Sequence, residues 1–421
     1  MNANDRSIVG LVAVGHAAVH TYELSVPVLV PIWLAEFSVL ELGLAQFPVN
    51  AATLGALVAV GYGLFGIGAL PGGVLVDRFP ARLLIAGCLV GMAGAFVLLA
   101  AAPSPLVVGA ALALWGVAAS VYHPAGLSLI SRGVQRRGTA FAYHGMAGNA
   151  GIALGPLVTL GLLVVFDWRL AAGLLAVPAA AGAAFALRVD IDERAAVATA
   201  DGGTDATGPA SSGVGSLAEF VASSRALLTG AFLAVFALTF FTGLYYRGVL
   251  TFLPELLRDV PALAPVEVAG RTYEPGDYLY VGLLMVGVLG QYAGGKLTDR
   301  YRPGYGLLGG YGTLAVLAVL FVPASAAGLP ALLPVTALLG FFMFSVQPFY
   351  QASVAEYSPP DKRGLSYGFT YLGVFGVGSL GAVVAGTMLT YFSAAELFLV
   401  LAGLGTVAAG IGGYIATRAP G

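Results

Sequence analysis

The chain has 421 residues, of which 58% are apolar and only 10% charged, and it carries a net charge of -2 at neutral pH. Soluble domains carry about 25% charged residues, so the composition excludes an ordinary water-facing surface, and the lack of basic excess argues against nucleic acid as a partner. A single cysteine, Cys88, excludes a disulfide framework or a thiolate metal cluster.

The first apolar stretch, residues 8–35, is too long for the core of a removable leader and reads as a membrane-crossing helix. Apolar runs follow at 52–75, 82–102, 105–130, 139–164 and 169–187. About 20 apolar residues cross a hydrocarbon core about 30 Å thick, so each run is a predicted span. Residues 188–225 then turn polar and rich in small side chains (DERAAVATADGGTDATGPASSG), which predicts a flexible linker. Beyond it lie runs at 226–257, 277–298, 304–323, 329–356, 365–391 and 396–416. The predicted fold is an all-α integral membrane protein of about twelve transmembrane helices, with six-helix bundles at 1–187 and 226–421 joined by the 188–225 linker.

Arg6, Arg78, Arg82, Arg132, Arg136, Arg137, Lys296, Arg300, Lys362 and Arg363 fall in loops on one side of these spans, whereas Arg169, Arg258 and Arg271 fall on the other. Because cytoplasmic loops retain positive charge, both termini are predicted to be cytoplasmic in a cell or inner membrane. The halves also repeat one another. GGVLVDR at Gly72–Arg78 recurs as GGKLTDR at Gly294–Arg300, and Arg136-Arg137-Gly138 recurs as Lys362-Arg363-Gly364. Such duplication places a binding site at the interface of the copies.

Ionisable groups at membrane depth must face partners or a cavity rather than lipid. His16, His20 and Glu23 stand at i, i+4 and i+7, on one face of span 1, where a proton relay is chemically reasonable. His123 and His144 lie on antiparallel neighbours at similar depth and are expected to meet across spans 4 and 5, with Asn149 a little over one turn deeper. Arg247 in span 7 should pair with an internal carboxylate, bind an anionic substrate group, or snorkel to the outer interface. Tyr246 beside it, and Gln347, Tyr350 and Gln351 in span 10, are the remaining polar candidates. The N-terminal half is thus expected to handle protons and the C-terminal half to supply more of the substrate contacts.

Gly73-x-x-x-Asp77-Arg78 with Arg82, repeated as Gly295-x-x-x-Asp299-Arg300, resembles the signature loop of the major facilitator superfamily, and the resemblance spans essentially the whole chain. It implies gating roles for Asp77, Arg78, Arg82, Asp299 and Arg300. Gly151-x-x-x-Gly155-Pro156 resembles that superfamily's antiporter motif. A narrower likeness is to the fosmidomycin-resistance branch, through His16, Tyr22 and Pro27 in span 1, Tyr122-His123-Pro124 in span 4 and Gly148-Asn149-Ala-Gly151 in span 5. These resemblances imply a secondary transporter, expected to export a small organic compound or drug in exchange for protons, as a monomer and with no cofactor. Divalent metal export through the histidines and proton-coupled uptake of an organic anion are the alternatives within transport. An enzyme is not expected, since the chain lacks GxSxG and HExxH, and neither GxxxxGK[ST] nor a sizeable signalling domain is found.

Overall fold

The computed structural model describes residues 1–198, 217–228, 230–358 and 363–418. The side chains of Asp77, 197–198, 217–220, 363–364 and 418 are outside the description, as are residues 199–216 of the predicted linker and Lys362 of the second basic turn. Among the described residues, twelve helices are long and apolar enough to cross a membrane. Their bounds are Ala3–Glu36, Ala51–Val76, Ala81–Ala100, Pro105–Gly133, Arg137–Leu163, Trp168–Arg188, Gly230–Leu250, Pro275–Thr298, Pro303–Ala327, Leu329–Tyr357, Leu365–Tyr391 and Ala394–Thr417, called spans 1 to 12 below.

Prolines shape three of them. A proline ring clashes with the carbonyl four residues earlier and removes a donor. Span 2 breaks after Ile67, four residues before Pro71, and span 4 after Ser120, four before Pro124. Span 7, expected to run to residue 257, stops at Leu250, four before Pro254, and a separate short helix Leu253–Arg258 follows. The span 4 break re-aims Tyr122 and His123 toward the interior. Span 11 breaks differently, passing through a π turn at Leu372–Gly376 and a 3₁₀ turn at Val377–Ser379, where its backbone squeezes between Gly66 of span 2 and Gly243 of span 7.

Two short antiparallel hairpins, Val39–Leu42 with Ala45–Pro48 and Val266–Val268 with Arg271–Tyr273, follow spans 1 and 7. They occupy corresponding places in the repeat and mark one face of the molecule, opposite the face that carries the termini. On the hairpin face the first six spans are sealed to the last six. The Ala52 amide donates to Thr390 Oγ1 at 2.9 Å, and a side chain at Gly55 or Gly386 would strike the facing backbone of Ala382 or Ala51.

On the terminal face the chain after span 6 folds back. Asp192 and Asn4 exchange backbone and side-chain hydrogen bonds at 2.8 and 3.0 Å, and Asn4 also donates to the Gly133 carbonyl.

Candidate functional site: a histidine cluster and an ion pair at the end of a central cavity

A cavity of about 1350 Å³ lies between the first six spans and the last six. Its lining runs from His16, His20, Glu23, His123 and His144 at its inner end to Arg78 and Arg132 at the terminal face. The opposite wall carries Tyr246, Gln291, Gln347, Tyr350 and Gln351.

Span 1 packs along span 5, and the glycines of the motif make that possible. A Cβ at Gly151 would stand 2.3 Å from the Ala17 carbonyl oxygen, one at Gly155 2.6 Å from Thr21 Cα, and one at Gly148 2.5 Å from the His16 ring. Gly151 and Gly155 thus bring the helices together, with Pro156 inside the same helix, and Gly148 clears room for His16. The His16 ring stacks on His144 at 3.8 Å between centroids and on Tyr122 at 5.7 Å. Tyr122 is fully buried and donates to the Val12 carbonyl, which holds the stack in place. His123 and His144, expected to meet directly, meet through His16, which lies edge-on to His123 at 5.1 Å.

His16 Nδ1 lies 2.7 Å from the His144 carbonyl oxygen, an atom that only accepts, so this nitrogen carries the proton. His20 Nδ1 lies 2.6 Å from Glu23 Oε2 and likewise donates. The Nε2 atoms of both rings then turn toward each other at 3.1 Å, and His123 Nε2 approaches His16 Nε2 at 3.3 Å. His16, His20 and His123 present ligand atoms that all lie within 4.8 Å of one another, the one candidate metal-holding group among the described residues. Histidines that the sequence spreads over different helices are thus brought together in space. The i, i+4 pair in span 1 meets a third ring that only the span 4 kink brings in.

The other oxygen of Glu23 accepts from Arg247 Nη2, an ion pair between spans 1 and 7 in which both side chains are 1% exposed. The guanidinium also lies 3.6 Å over the Tyr62 ring, with Tyr246 and Phe375 at 5.2 and 5.6 Å. Tyr62 is anchored by donating to the Glu23 carbonyl at 2.8 Å. Arg247 therefore does not snorkel to the outer interface. A lone arginine at mid-span costs at least about 2.5–3.5 kcal/mol, which the carboxylate and the ring faces offset. Its Nε nevertheless has no hydrogen-bond partner among the described residues, and neither has the Tyr280 hydroxyl or Gln291 Oε1. Tyr62, Tyr371 and Phe375 went unnoticed in the sequence because an aromatic residue in an apolar span looks like packing. The one available signal was Gly61-Tyr62-Gly63, small residues flanking a large ring.

Asn149 is partly exposed in the cavity wall, and Gln347, Tyr350 and Gln351 share the opposite wall, one helical face of span 10. The loop residues divide. Arg78 is exposed at the cavity mouth, whereas Arg82 donates to the Val189 carbonyl at 2.8 Å and lies outside the lining. The carboxylate that caps the start of span 3 is Glu193, which accepts from the Ala81 and Arg82 amides at 2.8 and 2.9 Å; the Asp77 side chain lies outside the described residues. Asp299 and Arg300 are exposed and stand apart from the cavity lining.

The description Major Facilitator Superfamily matches residues 13–370 and 276–420. An uncharacterised MFS-type transporter of Mycobacterium tuberculosis is 36% identical over 140 residues, 33% of this chain, and the match spans 32% of the relative's length. A gentisate transporter of Corynebacterium glutamicum is 25% identical over 351 residues, 81% of this chain and 72% of the relative. Among solved structures, an inward-facing, unoccupied bacterial homologue of the human lysosomal transporter Spinster superposes with a TM-score of 0.72 at 14% identity, covering 99% of this chain and 98% of that one. A D-xylose–proton symporter gives a TM-score of 0.72, also at 14% identity, over 99% and 98% of the two chains. The chain belongs to the major facilitator superfamily and is a multi-pass membrane protein with that family's twelve-helix fold.

Proposed function

We propose that the chain is a secondary transporter that moves a small aromatic carboxylate together with a proton, by alternating access of residues 1–187 and 226–421 around the central cavity. The observation that carries this reading is the buried Glu23–Arg247 pair, which joins the two halves at the inner end of the cavity. An incoming carboxylate binds Arg247 only as Glu23 releases it, and Glu23 releases it most cheaply when it takes up a proton. Proton and anion therefore favour each other's binding, and a coupling that favours both ligands on one conformation is symport. Antiport needs competition instead, as when a cationic compound displaces the proton from a carboxylate. The export direction expected from Gly151-x-x-x-Gly155-Pro156 loses weight, because those residues have a complete account in the packing of span 5 on span 1.

The opposite wall supports the substrate class. Tyr246, Tyr350, Tyr371 and Phe375 offer ring faces, and Gln291, Gln347 and Gln351 offer amides to ring substituents. The similarity to a gentisate transporter over most of the chain points the same way. The fosmidomycin-resistance likeness of spans 1, 4 and 5 keeps phosphonates among the anions to be tried. Since most basic residues lie on the terminal face, we place that face in the cytoplasm, with the cavity inward-open.

Reconstituted protein should accumulate aromatic carboxylates down an imposed proton gradient, in a panel that includes phosphonates and cationic drugs. Glu23→Gln should keep exchange at equilibrium but lose the response to the gradient. Accumulation of a cationic compound in exchange for protons would sink the symport reading.

A further inference from the structure

We propose that His16, His20 and His123 form a binding site for one divalent transition-metal ion of the zinc type, open to the cavity at a fourth position. The inference stands apart from the transport reading, since the site needs neither substrate nor movement of the halves.

Three features carry it. The first is ligand orientation: the carbonyl of His144 and the carboxylate of Glu23 fix both Nδ1 atoms as donors, so in the neutral rings, the form that binds a metal, Nε2 of His16 and of His20 each present a lone pair. Imidazoles that hold metals are oriented in this way, with the far nitrogen tied to a carbonyl or a carboxylate. The second is convergence. Donors about 2.0–2.1 Å from a tetrahedral ion stand about 3.3 Å from one another. The Nε2 separations of 3.1 and 3.3 Å already match that spacing. His20 and His123 form the wider pair, and His20, 13% exposed, has room to turn and close it. The third is a repulsion that arises when the rings are neutral: His123 can donate a proton to one facing lone pair, which leaves another lone pair opposed at close range. A cation among the three nitrogens removes that conflict.

Softness of the donors selects the ion. Three imidazoles suit Zn²⁺, Ni²⁺, Co²⁺ or Cu²⁺ and not Mg²⁺ or Ca²⁺, which take oxygen donors. Glu23 is engaged by His20 and Arg247, so a water or a ligand from the cavity would take the fourth position.

The test uses the purified full-length chain in detergent, with any affinity tag removed, titrated with Co²⁺ alone. One Co²⁺ per chain should bind with the intense visible absorption of a four-coordinate ion, and Zn²⁺ should displace it. His20→Ala, at the cavity surface, should weaken binding at least about 10-fold, and Glu23→Gln, which keeps all three ligands but alters what orients His20, by about 10-fold while preserving the spectrum. His16→Ala should abolish the spectrum in protein that still elutes as a single species; should that variant not fold, the wild-type spectrum and His20→Ala decide the matter. Only faint, six-coordinate absorption in the wild type, or affinity unchanged in His20→Ala, would overturn the site.

Discussion

The two walls of the central cavity are built from copies of one framework and filled with opposite chemistry. The wall from spans 1, 4 and 5 gathers His16, His20, Glu23, His123 and His144, all of them able to change charge. The wall from spans 8 and 10 presents Gln291, Gln347, Tyr350 and Gln351, all neutral. Arg247 of span 7, buried and outside that lining, reaches across to meet Glu23 of the first wall. Duplication thus preserved the helical scaffold while the two interiors diverged, one toward ionisable side chains and the other toward neutral polar ones. The crossing ion pair is what makes each wall sensitive to the other.

Removing one partner of the crossing pair should have the largest effect. Glu23→Ala or Arg247→Ala alone leaves a buried charge and should cost about 3–5 kcal/mol. The double variant should be less destabilised than the sum of the singles, which thermal melts in detergent can read. Additive losses would mean that the two residues act separately. Next in size is Gly148→Ala, whose Cβ would stand 2.5 Å from His16. It should displace the ring at a cost of about 1–3 kcal/mol, and an unchanged melting temperature would show the histidine-bearing wall to be looser than described. Smaller again are Gln347→Ala and Gln351→Ala on the neutral wall. Each should remove one substrate hydrogen bond of about 1 kcal/mol, raising KM about fivefold without altering proton coupling. Smallest of all is Arg300→Ala, exposed in the second loop copy, which should shift stability by less than about 0.5 kcal/mol.

The spans were readable because a bilayer imposes length and apolarity on every crossing segment, so hydropathy alone located all twelve to within a few residues at most ends. The exception, the early end of span 7 at Leu250, traces to Pro254, whose effect falls a full turn upstream. The candidate residues were also readable, since ionisable groups stand out against an apolar background. Their geometry was not. Helical periodicity aligned His16, His20 and Glu23, but that His123 joins them depends on the kink before Pro124, and that His144 serves them through its carbonyl is invisible in a side-chain code. Arg247 announced that it needed a partner, yet nothing in the sequence aimed it at Glu23 across 224 positions of chain. Glu193, in the stretch expected to be a flexible linker, caps span 3 because a carboxylate satisfies the free amides of a helix start, whichever segment supplies it.

Whether the anion and the proton travel together is decided by the sign of one pH change. Proteoliposomes holding the reconstituted protein and a trapped pH dye, with no initial pH difference, are given an inward gradient of an aromatic carboxylate that the gradient assay has identified as transported. Net acidification of the lumen, absent in Glu23→Gln, is the predicted result. Alkalinisation would mean exchange of substrate for protons and would contradict the coupling inferred from the Glu23–Arg247 pair.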